Sequence, residues 1–140
     1  MEMKNKFLIL IFTFLLQTKV SAEWIRIGLI EENIFYYSDN ISFNGDNPIT
    51  WMMVSSSKNK EVIEGAIDGK KIKSAQIKRE INCSQRKFKA LSFAYYGETM
   101  GKNLISRNDE EEDWEHILPG TINEEIVIQI CKKTRLRKRF

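Results

Sequence analysis

The chain has 140 residues, 42% of them hydrophobic and 29% charged, with seven glycines and two prolines, which excludes collagen-like, low-complexity and wholly disordered classes. Its formal net charge of +3 is unevenly spread: residues 1–22 hold three bases and one acid, residues 23–131 hold 13 bases against 18 acids, and six bases fall in the last nine positions. An acidic body with a basic end lacks the basic face that a nucleic-acid-binding domain presents.

Residues 1–22 pass from a polar start with Lys4 and Lys6, through apolar Phe7–Leu16, to Val20-Ser21-Ala22. This is the pattern of a secretory signal peptide. Ten apolar residues at ~1.5 Å each reach about half of the ~30 Å hydrocarbon layer, so a signal fits better than a membrane-spanning helix. Cleavage is expected between Ala22 and Glu23, leaving 118 residues and one domain. At that size a cross-link helps the core. With no cysteine near the cut, no lipid anchor is expected. No later segment is long and apolar enough to span a bilayer, so the product is expected to be exported, to the periplasm or the cell surface, or secreted.

Strand-like segments follow. Trp24–Ile30, Ile34–Tyr37 and Ile49–Val54 are rich in β-branched and aromatic residues, and Asn44-Gly45-Asp46-Asn47-Pro48 supplies turn chemistry before the third, so the early part reads as a meander. After a polar loop at 55–60, Ile77, Arg79, Ile81 and Cys83 share one parity while Lys78, Glu80 and Asn82 share the other. Phe88–Tyr96, closed by Gly97, reads as a second long strand, and the two predict a hairpin around residues 83–86.

The C-terminal segment alternates like a strand at Ile126, Ile128 and Ile130, yet Ile122, Ile126, Val127, Ile130 and Cys131 also form one helical stripe. The start signal decides for a helix. Pro119-Gly120 breaks the chain, and Thr121-Ile122-Asn123-Glu124 matches a capping box, in which hydroxyl and carboxylate each satisfy a free backbone N–H. The helix is expected over about Thr121–Lys133, its basic last turn matching the negative end of its dipole.

Export places Cys83 and Cys131 in an oxidising compartment, where an even pair in a small chain usually means a disulfide; a catalytic or metal-binding cysteine is the alternative. The single histidine, His116, leaves a zinc site short of ligands. Gly97-Glu98-Thr99-Met100-Gly101-Lys102 resembles a phosphate-binding loop but has three residues between the glycines and Asn103 after the lysine, so it reads as a turn. Acid–base catalysis at His116 would need Glu115 or Asp113 as partner and a nucleophile, and none shows motif spacing. Asp109–Asp113 lacks the glycine and alternate spacing of a calcium loop and reads as a solvated acidic loop, with the basic tail as an electrostatic counterpart. The basic end, Lys132, Lys133, Arg135, Arg137, Lys138 and Arg139, offers a contact for polyanions, acidic lipid or an acidic protein face, against the plainer reading of a solvated terminus. Asn40-Ile41-Ser42 and Asn82-Cys83-Ser84 match the glycan acceptor pattern only by chance on this reading.

The order of residues resembles the surface-adhesin protein E family of Gram-negative bacteria. Trp24 opens the exported part; Tyr36, Tyr37, Asp39 and Ser42 follow; then come Trp51-Met52-Met53-Val54, Lys73-Ser74 ahead of a strand ending in Cys83, and Tyr95 and Gly97. The signature closes on Trp114, Ile117, Pro119-Gly120-Thr121 and Cys131. The resemblance implies an antiparallel sheet with a C-terminal helix held on its concave face by the cysteine bridge. It also implies a non-enzymatic protein that binds host matrix proteins such as vitronectin and laminin and can form a homodimer, although the family namesake's lipid-anchoring cysteine is missing here and the bases beyond Cys131 lie outside its pattern.

The expectations are therefore an α+β fold: an antiparallel β-sheet of five to six strands with a disulfide-tethered helix on one face. The chain divides into a signal peptide at 1–22, a protein E-like domain at 23–133 and a basic tail at 134–140. The leading function is an exported binding module for a protein partner, a host matrix protein or a polyanion, with the basic residues assisting. No catalytic, cofactor or metal residue is nominated. An inhibitor or accessory subunit of another periplasmic protein is the alternative, and a small hydrolase would need a nucleophile about 3 Å from His116.

Overall fold

The computed structural model describes residues 23–137, with the side chains of residues 136 and 137 left aside. The expected signal peptide, and Lys138 and Arg139 of the basic end, lie outside the described residues.

Three long strands carry the architecture: β4 (Asn47–Ser56), β7 (Ser74–Asn82) and β8 (Lys87–Tyr96). Around them lie β1 (Trp24–Ile30), β2 (Asn33–Ser38) and β3 (Ser42–Asn44) on one side, and β9 (Leu104–Asn108) and β10 (Glu115–His116) on the other. All pair antiparallel in one eight-stranded sheet of order β1-β2-β4-β7-β8-β10. Both flanks are divided: β4 pairs β3 through Ile49, Pro48 and Asn47 and β2 through Met52–Ser56, while β8 pairs β10 at Lys87 and Phe88 and β9 from Phe93 onward. A separate two-stranded sheet joins β5 (Ile63–Ile67) to β6 (Lys70–Ile72). The expected five to six strands are the longer elements; β3, β9 and β10 widen the main sheet.

The predicted hairpin forms, with Ile81 opposite Phe88 and Asn82 opposite Lys87. Asn82 closes it, its Oδ1 accepting from the Gln85 N–H at 3.1 Å and the Ser84 hydroxyl at 2.9 Å. That side chain thus has a structural task in the turn.

The helix, α1, spans Ile122–Arg137. Its start obeys the capping signal: the Thr121 Oγ1 accepts from the Glu124 N–H at 3.3 Å, and Glu124 Oε1 reaches back to the Gly120 N–H, one residue before the expected donor, at 3.3 Å. Its end passes the expected Lys133. No glycine or proline stops it, and Thr134, 4% exposed, donates to the Ile130 carbonyl at 2.9 Å. The basic segment expected as a tail from residue 134 thus begins as helix.

Residues paired across antiparallel strands share a face. On one face Tyr37, Met52, Ile81 and Phe88 meet Ile126, Val127 and Ile130 of α1, with Ile117 closing the edge. Ile126, Ile130 and Ile81 are at most 1% exposed, and each contributes roughly 2 kcal/mol of burial.

The opposite face mixes apolar Met53 and Ala94 with polar Ser55, Ser74 and Gln76, and is also covered. Met100 and Gly101, in a 3-10 turn at Thr99–Gly101, donate backbone N–H groups to the hydroxyls of Ser55 and Ser74 at 2.9 and 3.0 Å. Gly101 holds a left-handed backbone, φ +70°, a conformation that favours glycine.

Candidate functional site

Cys83, just past β7, and Cys131, in α1, are joined, with Cα atoms 5.9 Å apart. Described cysteines are thus all bridged, and the catalytic or metal-binding alternative is removed. The bond fixes the C-terminal half of the helix to the β7–β8 hairpin. Two clefts flank it. One, of about 370 Å3, is lined by Cys83, Arg86, Val127, Ile128, Cys131, Lys132 and Arg135. The other, of about 250 Å3, runs past Asp46, Asn82, Thr134 and Arg135.

The nominated bases therefore part company. Lys132 and Arg135 are exposed on the helix and line the first cleft. Lys133 points elsewhere, its ammonium 5.7 Å from the centroid of Tyr37 and half-buried. Arg137 is the last helical residue. Arg86 joins Lys132 and Arg135 from the hairpin, a residue that the tail-centred reading passed over. Its backbone is left-handed, at φ +51°, and its carbonyl accepts from the Ile117 N–H at 3.1 Å. Its place three residues after Cys83 was the available signal, since a bridge brings that turn to the helix.

The acidic stretch meets the sheet. Lys89, on β8, lies between Glu80 at 3.4 Å and Glu111, and its ammonium is 5.0 Å from the Trp114 ring centroid. Glu111 holds the Lys89 ammonium above its ordinary value. The Ser92 hydroxyl and then Arg107 hold the Asp109 carboxyl below the usual range. The Glu112 N–H donates to the Ala90 carbonyl at 2.9 Å, so the stretch runs along β8. Among the described residues its ion-pair partners are Lys89 and Arg107, on the sheet. Among the described residues no His, Cys, Asp and Glu cluster forms a metal site, and His116 stands exposed on β10 opposite Lys87.

Beneath the start of α1 lies a half-buried cation. Arg79 donates from Nη1 to Asn123 Oδ1 at 3.1 Å and to Met52 Sδ at 3.4 Å, and its guanidinium stacks 4.2 Å from the Phe88 centroid. Its Nε is buried without a partner among the described residues. Burial pushes its pKa down to about 10, against the pull of Glu115 and Glu112.

The model of the family described as surface-adhesin protein E matches residues 24–132. The chain belongs to that family. The fold agrees: two solved structures of Haemophilus influenzae protein E superpose with a TM-score of 0.60 each, at 16% and 17% identity, covering 84% of this chain and 93% and 89% of theirs. A selenomethionine form of the same protein gives 0.58 at 16% identity, covering 82% of this chain and 90% of that one. No curated protein sequence matches at a significant level. The family match ends at Lys132, so Lys133, Arg135 and the bases after them lie beyond the matched residues, whereas Cys83 and Cys131 fall inside them.

Proposed function

We propose that the protein is an exported, non-enzymatic surface adhesin that binds host extracellular-matrix proteins. The observation that carries this reading is the protein E family match over residues 24–132. Export is supported by the leader-like residues 1–22 and by the bridged cysteines, since disulfides persist in oxidising compartments. The non-enzymatic reading is supported by the lone exposed His116. No described helix is long and apolar enough to cross a membrane.

The test is binding of the purified protein to immobilised laminin and vitronectin. Saturable binding that weakens with salt is expected. Absence of binding, with a stoichiometric exported partner co-purifying instead, would favour the inhibitor or accessory-subunit reading. Charge at the helix end is better probed with Lys132→Gln and Arg135→Gln than by truncation, which would also remove the buried Thr134.

A further inference from the structure

The cleft beside the bridge differs from the other concavities in the sign and order of its lining. Its lining joins apolar Val127, Ile128 and the disulfide to the cations Arg86, Lys132 and Arg135, and no carboxylate lines it. By contrast, the larger cleft of about 770 Å3 between β6 and the β8–β9 turn sets Lys70, Lys71 and Lys73 beside Glu98, and Lys71 is already paired with Glu61 at 3.2 Å. The second cleft beside the bridge includes Asp46.

Ile128 is 42% exposed although it shares the cleft with these cations. An exposed aliphatic side chain sharing a cleft with three cations matches an anionic amphiphile, whose phosphate meets the cations while its hydrocarbon meets Ile128. A heavily sulfated polysaccharide would use the cations and leave Ile128 in water.

We propose that Arg86, Lys132, Arg135 and Ile128 form a docking site for the phosphate-bearing surface of an anionic membrane. The bridge is the positioning element, because it sets the hairpin base beside the two helical ones. Docking of this kind holds a protein at a bilayer without a spanning helix and is independent of matrix-protein binding.

The experiment is flotation of purified protein, carrying the same N-terminus in every variant, with vesicles of phosphatidylcholine alone or with about a third phosphatidylglycerol. Binding is expected only to the anionic vesicles. A cation near such a surface gives about fivefold in affinity, so Arg86→Asn, Lys132→Gln and Arg135→Gln together should lower it by roughly a hundredfold. Asparagine suits the left-handed backbone at residue 86, and all three sites are exposed, so retained circular dichroism and an intact bridge serve as the folding control. Ile128→Ser should cost several-fold on vesicles with no effect on heparin binding. Equal binding to neutral vesicles, full binding by the triple variant, or vesicle binding indifferent to Ile128→Ser would each overturn the proposal, the last pointing to a polyanion site. Laminin binding by the same variants shows separately whether the adhesin reading stands.

Discussion

Arg79→Met tests whether the half-buried guanidinium stabilises the fold or is tolerated by it. Burial pushes the side chain's pKa well below its ordinary value, to about 10, and at ~1.4 kcal/mol per pH unit its charge costs the folded state on the order of 3 kcal/mol. Methionine keeps most of the stem volume and removes that cost. It gives up the hydrogen bond to Asn123 and the stacking on Phe88, each worth ~1 kcal/mol. The net expectation is a gain of about 1 kcal/mol at neutral pH, in line with buried ion pairs replaced by apolar groups. Arg79→Ala removes the stem as well and should fall ~2 kcal/mol or more below Arg79→Met. Urea titration with the bridge oxidised and m unchanged is the assay. The pH dependence has a fixed sign. A base with a lowered folded value is penalised wherever it is charged, so the penalty holds below about 10 and fades as pH climbs from there toward the ordinary value. The advantage of Arg79→Met should therefore narrow as pH rises through about 10. A loss of 2 kcal/mol or more in Arg79→Met at neutral pH would refute the reasoning and make the guanidinium a net contributor.

Reducing the bridge, which closes 48 positions, should cost roughly 4 kcal/mol in the chain-entropy model, about 15 °C in Tm for a domain of this size, read by thermal melts with and without reductant. Ile130→Ala, at a fully buried position between helix and sheet, should destabilise by about 3 kcal/mol in urea titration. Ser92→Ala should raise the Asp109 pKa toward its ordinary 3.8, as followed by carboxyl NMR; an unchanged titration would show that the hydroxyl does not hold it. Because the Asp109 value is lowered in the fold, its contribution is present at neutral pH and is lost as pH falls through the folded value.

The long strands and the helix were legible because each carries its own periodicity: alternation in β7 and β8, and a four-residue stripe behind the Thr121 cap. The short strands were not. Three-residue β3 and two-residue β10 have no period of their own and exist because β4 and β8 offer unpaired edges. Parity correctly set Arg79 with Ile77 and Ile81, but parity cannot say whether a cation within such a row reaches water; the start of α1 partly covers this one. Glu80 shows the converse. Alternation placed it on the outer face, yet it is 2% exposed, because Asn44, donating to its Oε1 at 2.7 Å, and Lys89 cover it. Covering of that second face comes from residues far away in sequence. Arg86 was missed for a similar reason: its neighbours in space are set by the bridge, whereas the charge run drew attention to the terminus. The helix overran its expected end because Thr134 was counted as tail rather than as a buried back-bonding position.

The most direct test of the account is peptide mapping under non-reducing conditions of the protein recovered from growing cells after rapid alkylation. A chain that begins at Glu23, with the Cys83 and Cys131 peptides linked and neither sulfur alkylated, is the predicted result. A chain retaining residues 1–22, with both cysteines alkylated, would place it in a reducing compartment and contradict both the export and the surface role.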